Sequence, residues 1–186
     1  MLKRKPRLLV IAGPNGSGKT TLTRRILRHA WGDGCTYINP DNIAQDKFGD
    51  WNSPEATRKA AILSDQLREE CLLERGDLAF ETVLSIEAKV DFIKRAKDAG
   101  YFIRIFFVST DDPSINAARI TNRVLEGGHS VPIDKIIDRY YRSLSFSLDA
   151  ALLFHHASSK LWTLVQVFKM LLMFEVFLKR SRYERI

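Results

Sequence analysis

The residues with the clearest chemistry form one uninterrupted loop near the amino terminus. The segment Gly13–Thr20 reads GPNGSGKT and fits the phosphate-binding pattern G-x-x-x-x-G-K-[ST] at every fixed position. Glycines let the backbone curl so that successive N–H groups point inward around a phosphate. Lys19 is then expected to bridge the β- and γ-phosphates of a nucleotide, and the Thr20 hydroxyl to bind Mg²⁺. The predicted nucleotide site comprises Gly13, Pro14, Asn15, Gly16, Ser17, Gly18, Lys19, Thr20 and Thr21.

A first carboxylate, Asp41, follows the second expected strand, Cys35–Asn39. Ligands of open α/β sheets gather at the carboxyl ends of the strands, so Asp41 should face the nucleotide site. There it would hold an attacking hydroxyl of the substrate and accept its proton. The alternative is an N-cap serving the turn Asn42–Gln45.

A second carboxylate, Glu81, lies at the end of an apolar stretch. A buried, unpaired carboxylate is costly, so an acid in this position is usually paired, bound to a ligand or placed at the open end of the strand. Glu81 is therefore a candidate for anchoring the substrate or for supporting Mg²⁺ indirectly. The alternative is an ordinary glutamate at the surface.

Three arginines form the last candidate group. Arg123 precedes Gly127-Gly128, and Arg139 and Arg142 share one face of the next expected helix because they are three residues apart. Phosphoryl transfer spreads negative charge over oxygens, and arginines on a mobile lid stabilise that charge while excluding water. The two glycines would then form the hinge. The alternative is an amphipathic helix with solvated arginines, an interpretation that fits Arg119 better.

Strands and helices alternate along the chain, which predicts βαβ units and a mainly parallel sheet with helices on both faces. The strands are predicted at Arg7–Ala12, Cys35–Asn39, Leu78–Val83 and Tyr101–Ser109. The helices are predicted from Lys19 to about His29, from Ser53 to Arg75, from Ser85 to about Ala99, over Pro113–Glu126, and from Ile133 to about Phe154.

Composition suits one globular domain over residues 1–186, with 45% hydrophobic and 27% charged residues. The net charge of +7 indicates an anionic partner, but a nucleotide is as anionic as a nucleic acid. Much of the excess lies in a basic tail, residues 1–6, and in Lys179–Arg182. Clusters at chain ends are more often solubilising, so nucleic acid is not the expected partner.

The cysteine spacing and the carboxyl-terminal stretch indicate the cellular compartment in which the protein is expected. Cys35 and Cys71 are far apart and lack metal-ligand spacing, as is typical of reduced thiols in a cytoplasmic protein. Leu161–Leu178 is apolar but contains charged residues, so no membrane helix is predicted. Residues 155–186 form an atypical segment for which a strand, an apolar helix and an oligomer contact all stay open; the oligomeric state is not predicted.

Taken together, the motifs resemble the zeta-toxin family of P-loop kinases. The resemblance lies in five segments: GPNGSGKTT, INPDNIA, FETVLS, GY.I...FV and NRV..GGHSVP...I..RYYRSL. They cover roughly Leu8 to Leu148. The resemblance implies a kinase-type three-layer sandwich of about five strands, with an arginine-bearing lid. It also implies the family's reaction, in which ATP phosphorylates a sugar hydroxyl of UDP-N-acetylglucosamine.

The resemblance also assigns roles to individual residues. Lys19 and Thr20 resemble the nucleotide and Mg²⁺ residues, and Asp41 the base. Glu81 and Thr82 resemble contacts to the substrate. Arg123, with Arg139 or Arg142, resembles the charge-stabilising arginines of the lid.

The leading hypothesis is therefore a Mg²⁺-dependent phosphotransferase that uses ATP or GTP and a small hydroxyl-bearing acceptor, with an antitoxin protein as a further partner. A kinase of nucleic-acid ends is an alternative favoured only by the basic charge. A nucleotide-binding regulatory protein without turnover is another, but such a protein does not need the two carboxylates and the arginines.

Overall fold

The computed structural model describes residues 4–49, 52–128 and 131–153, over which strands and helices alternate. The strands are β1 (Arg7–Ala12), β2 (Thr36–Ile38), β3 (Leu78–Thr82) and β4 (Phe102–Phe107). The helices are α1 (Lys19–Leu27), α2 (Pro40–Phe48), α3 (Pro54–Glu74), α4 (Glu87–Asp98), α5 (Pro113–Leu125) and α6 (Ile133–Leu152). Within the described ranges, no helix combines the length and apolar character needed to cross a membrane.

The strands form one parallel sheet in the order β2-β3-β1-β4. Ala12 at the end of β1 lies opposite Thr82 of β3 and Phe107 of β4. The carboxyl ends of the three strands are therefore level, and the loops that leave them meet at one edge. The sheet has four strands in the part of the chain that the structure describes, against about five expected, and residues 155–186 lie outside that part.

Two apolar layers cover the sheet, as the alternating pattern predicted. From Leu8 to Ala12 no residue of β1 is more than 1% exposed, because both faces of this central strand are packed. Leu9 and Ile11 pack with Ile26 of α1 on one face. On the other face, Leu8 and Val10 belong to a larger cluster with residues of α3, α4 and α6. This burial of apolar surface is the main stabilising contribution, and it holds the carboxyl edge of the sheet in place.

The start of α3 agrees with the predicted capping residue, whereas helix α2, which precedes it, was not predicted. Ser53 caps α3 by accepting a hydrogen bond from the Ala56 amide, as expected. Helix α2 replaces the predicted turn, and its N-cap is Asn39, whose side chain accepts from the Asp41 amide. Only Ala44 of α2 is buried, so the apolar periodicity that would predict this helix is missing.

Candidate active site

The P-loop (Gly13–Thr20) connects β1 to α1 and lies against the end of β4 and against α5. A Cβ atom on Gly13 would lie 2.0 Å from the Val108 carbonyl oxygen, and one on Gly16 would lie 2.8 Å from that of Asn116. Glycine is thus required where the loop approaches neighbouring backbone. The buried Asn116 side chain of α5 donates to the Asn15 carbonyl at 2.6 Å, which fixes the loop.

Lys19 is held over the loop by backbone oxygens. Its Nζ donates to the carbonyls of Gly13 and Pro14, each at 2.8 Å. Burial lowers the pKa of Lys19 to about 8, although the nearby carboxylates of Glu81 and Asp41 favour the charged form. A phosphate bound in the loop would add negative charge beside this ammonium and favour the charged form further.

Other polar groups of the loop also fit a phosphate-bearing ligand. The buried Oδ1 of Asn15 and Oγ of Ser17 have no hydrogen-bond partner among the described residues. Buried polar groups are usually satisfied. The Ser17 hydroxyl can donate to a phosphate oxygen, whereas the Asn15 amide oxygen only accepts and suits a water or another donor. Helix α1 begins at Lys19 after Gly18, which offers no side-chain cap, and its amino end favours an anion.

A chain of hydrogen bonds fixes Glu81 beside Thr20. The Thr20 hydroxyl donates to Oε2 of Glu81 at 3.2 Å, and the Tyr37 hydroxyl donates to Oε1 at 2.7 Å. Asn39 in turn donates to the Tyr37 hydroxyl at 2.8 Å. Burial, followed by the charge of Glu81, raises the pKa of Tyr37, so this phenol remains a neutral donor. Glu81 is only 8% exposed, which argues against the surface position that the sequence left open.

The oxygens of Thr20 and Glu81 suit Mg²⁺, a hard cation that prefers hydroxyl, carboxylate, phosphate and water oxygens. Thr20 would supply one direct ligand, and Glu81 would orient that hydroxyl or a water bound to the ion. The contact between them favours indirect Mg²⁺ support over substrate anchoring for Glu81.

A cavity of about 640 Å³ joins the P-loop to the carboxyl ends of β2 and β3. Asp41, exposed in the first turn of α2, lines this cavity together with Glu81 and Thr82. The structure thus brings all three predicted substrate-side residues next to Lys19. Asn39, not Asp41, provides the cap of α2, so the capping alternative for Asp41 does not describe its position.

The predicted arginines divide into two groups. Arg123 and Arg139 line the cavity from α5 and α6, whereas Arg142 does not. Arg142 is half exposed and forms an ion pair with Asp138 at 3.5 Å, one helical turn away. Arg119, expected to be solvated, lines the cavity, and its Nη1 lies 3.4 Å from the Gly16 carbonyl oxygen. The arginines that line the cavity from α5 and α6 are therefore Arg119, Arg123 and Arg139.

Three charged residues in the cavity wall were missed from the sequence: Asp65 and Arg68 of α3 and Lys89 of α4, which we call the α3–α4 cluster. Both cations contact Oδ1 of Asp65. One signal could have revealed Arg68. It follows Ala60 and Ser64 at intervals of four residues, on the buried face of α3.

Comparison with known proteins gives one family and several relatives. The sequence pattern of the Zeta toxin family matches residues 2–156. An uncharacterized protein of Haemophilus influenzae is 30% identical over 128 residues, which are 69% of this chain and 88% of that protein.

Two solved structures share the fold at low sequence identity. One comes from the PezAT chromosomal toxin-antitoxin system of Streptococcus pneumoniae; it is 18% identical with a TM-score of 0.58, over 82% of this chain and 67% of that one. The other is AvrRxo1-ORF1:-ORF2 with ATP, 19% identical with a TM-score of 0.61 over 81% of this chain. This chain spans 51% of that second chain. The likeness confirms the expected α/β fold class.

Proposed function

The chain belongs to the zeta toxin family, and we propose that it is a Mg²⁺-dependent phosphotransferase that moves the γ-phosphate of ATP or GTP to a hydroxyl of a small molecule. The proposal depends on one observation: a single cavity contains the P-loop, the carboxylates Asp41 and Glu81, and the three arginines that α5 and α6 supply. A protein that only binds nucleotide would need the loop but not the carboxylate of Asp41 in the same cavity.

In the proposed reaction, Asp41 holds the acceptor hydroxyl and takes its proton. The hydroxyl oxygen forms a bond to the γ-phosphorus with its lone pair. The bond from that phosphorus to the oxygen bridging the β- and γ-phosphates breaks, and the nucleoside diphosphate leaves with the bonding electrons. Bound Mg²⁺ would neutralise charge on the phosphates, and Thr20 is the residue that would hold it.

The cations around the cavity have the complementary role. Lys19 would contact the β- and γ-phosphates, and Arg119, Arg123 and Arg139 would stabilise the charge that spreads over the transferred group. Arg139, not Arg142, is the better partner for Arg123, because Arg142 lies outside the cavity and pairs with Asp138. Gly127, with a φ of 83°, retains its proposed role as a hinge of the lid.

The acceptor is the least constrained part of the proposal. Because the chain belongs to this family, UDP-N-acetylglucosamine is the first acceptor to test, with a sugar hydroxyl as the group that would receive the phosphate. An antitoxin protein is a candidate partner for the same reason. The family name also gives a cellular test, since expression should arrest bacterial growth and Asp41→Asn should relieve the arrest. Normal growth at an equal level of wild-type protein would contradict a toxic activity.

The direct test is transfer of label from γ-labelled ATP and Mg²⁺ to UDP-N-acetylglucosamine, to a small-molecule extract and to a 5′-hydroxyl oligonucleotide. Label in the small-molecule fraction, lost in Asp41→Asn, would support the proposal. Label only in the oligonucleotide would favour a nucleic-acid kinase. Tight ATP binding without transfer to any acceptor would favour a regulatory nucleotide-binding protein.

A further inference from the structure

We propose that the α3–α4 cluster is a subsite for an anionic group, phosphoryl or carboxylate, on the molecule that occupies the cavity opposite the nucleotide. If the proposed function holds, that molecule is the phosphate acceptor, so the inference narrows the acceptor to anionic compounds. The cluster lies outside the five segments that carry the family resemblance.

The positive and negative charges of the α3–α4 cluster do not balance. Nζ of Lys89 lies 2.5 Å from Oδ1 of Asp65, and Nη2 of Arg68 donates to the same oxygen. Two cations therefore share one carboxylate. The charge of Glu69 also acts on both cations, but Glu69 is paired with Arg95, so one positive charge is still in excess. The Asp65 side chain is 58% exposed, whereas those of Arg68 and Lys89 are only 4% and 20% exposed. The cations are thus more shielded from water than the anion that pairs with them.

Shielding these two cations from water has a free-energy cost. The Arg68 guanidinium lies 5.0 Å from the centre of the Phe80 ring, and Phe80 is fully buried. Burial lowers the pKa of Arg68 to about 10 and the pKa of Lys89 to about 8. Incompletely paired charges in such surroundings are unfavourable. A ligand anion would supply the second negative charge, and arginine can bind a phosphate or carboxylate with two parallel hydrogen bonds.

The amino end of α4 also favours an anion at the α3–α4 cluster. Ser85, Ile86 and Lys89 all line the cavity, so the start of the helix faces it. Ile86 is the N-cap and makes no side-chain hydrogen bond to the first turn. Amide groups there and the helix dipole favour an anion. The exposed Glu87 also lies in this first turn, and its charge opposes an anion, as does that of Glu69 on α3, which acts on both Arg68 and Lys89.

A second ion pair between the same helices shows what a purely structural contact looks like. Arg95 of α4 donates to both carboxylate oxygens of Glu69 on α3, at 2.7 and 2.5 Å. This pair has one cation for one anion, both are about half exposed, and neither residue lines the cavity. The pair already connects α3 to α4, so the extra cation of the α3–α4 cluster is not needed for that purpose. Arg95 is therefore the matched control for Lys89.

The experiment measures pyrophosphate and malonate binding by calorimetry in full-length Lys19→Ala protein, so that the P-loop does not compete. Lys89→Met in this background should weaken binding on the order of tenfold, because a charge-assisted hydrogen bond is lost. Arg95→Met should leave it unchanged. Asp65→Asn should strengthen it, since the competing carboxylate becomes neutral; a structural role for Asp65 predicts no gain. Thermal unfolding checks that each variant is folded, and Lys89 is chosen because replacement of the buried Arg68 could prevent folding.

Stronger binding of pyrophosphate than of malonate would identify a phosphoryl group, and the reverse a carboxylate. Absence of binding, or equal affinity with and without Lys89, would overturn the inference. None of these results depends on phosphate transfer, so failure here is distinguishable from failure of the proposed function, which the label-transfer assay tests alone.

Discussion

The cavity is lined by cations of the P-loop, which we call its nucleotide end, and by cations of the α3–α4 cluster, and the two sets are fixed by different contacts. At the nucleotide end, Nζ of Lys19 is bonded to carbonyls that lie five and six residues earlier in its own loop. In the α3–α4 cluster, Arg68 and Lys89 come from two helices and share the Asp65 carboxylate. The first arrangement is fixed by local backbone and suits any nucleotide phosphate. The second depends on side chains that can change without disturbing the loop, so it is where acceptor specificity can reside.

The largest expected effect lies at the nucleotide end. Lys19→Ala should lower kcat/KM for phosphate transfer by about 10³-fold, because a preorganised charge next to the transferred phosphate is removed. Steady-state assays with labelled ATP measure this. Activity within a few-fold of the wild type would mean that the P-loop lysine does not stabilise the transfer.

Asp41→Asn should have the next largest effect. The amide is nearly isosteric but cannot accept the proton, so kcat should fall by about 10²-fold. ATP affinity, measured by calorimetry, should be nearly unchanged because the nucleotide contacts remain. A loss of ATP affinity with little change in kcat would place Asp41 at the nucleotide end instead.

The pH dependence of nucleotide binding sharpens the comparison. With a pKa of about 8, Lys19 in the nucleotide-free protein is charged at pH 7 and largely neutral at pH 9. Only the charged form binds phosphate well, so the dissociation constant for ATP should rise about tenfold between these values. Glu81, Asp41 and Arg123 are the charged groups that act on Lys19. Calorimetry on Lys19→Met, which should lack this rise, is the control.

Loss of one hydrogen bond to Glu81 should have the smallest effect on phosphate transfer. Tyr37→Phe removes one donor to Glu81 and leaves the Thr20 contact in place. We expect a loss in kcat of roughly fivefold, the usual size for one hydrogen bond. The Mg²⁺ concentration needed for half-maximal rate should rise in parallel if Glu81 supports the ion. An unchanged requirement for Mg²⁺ would favour the substrate-anchoring role.

The strand, loop and helix around Gly13–Thr20 could be predicted from the sequence because their residues are contiguous. The G-x-x-x-x-G-K-[ST] pattern specifies backbone conformation and side-chain chemistry together, and the apolar run before it defines the central strand. Asp41 and Glu81 were found for a related reason, since each follows or ends a strand whose carboxyl edge faces the site. The level register of β1 and β3 places Glu81 beside the loop.

The other end of the cavity could not be predicted in the same way. Asp65, Arg68 and Lys89 are separated in sequence and belong to helices rich in charge, where such residues are normally solvated. Their proximity depends on how α3 and α4 pack against each other, and no local pattern in the sequence predicts that packing. Which arginines line the cavity depends on helix packing as well. If α6 were turned about its axis by the angle between successive residues, different side chains would point toward the cavity and toward solvent. For this reason Arg119 was expected to be solvated although it lines the cavity, and Arg142 was not distinguished from Arg139.

The most direct test of the account is a pair of Michaelis constants measured on one variant. In a transfer assay with an anionic acceptor, Lys89→Met should raise the KM of the acceptor about tenfold and leave the KM of ATP unchanged, while Arg95→Met changes neither. That result would place the nucleotide and the acceptor at opposite ends of one cavity. An equal rise in both constants, or none in the acceptor KM, would contradict this division.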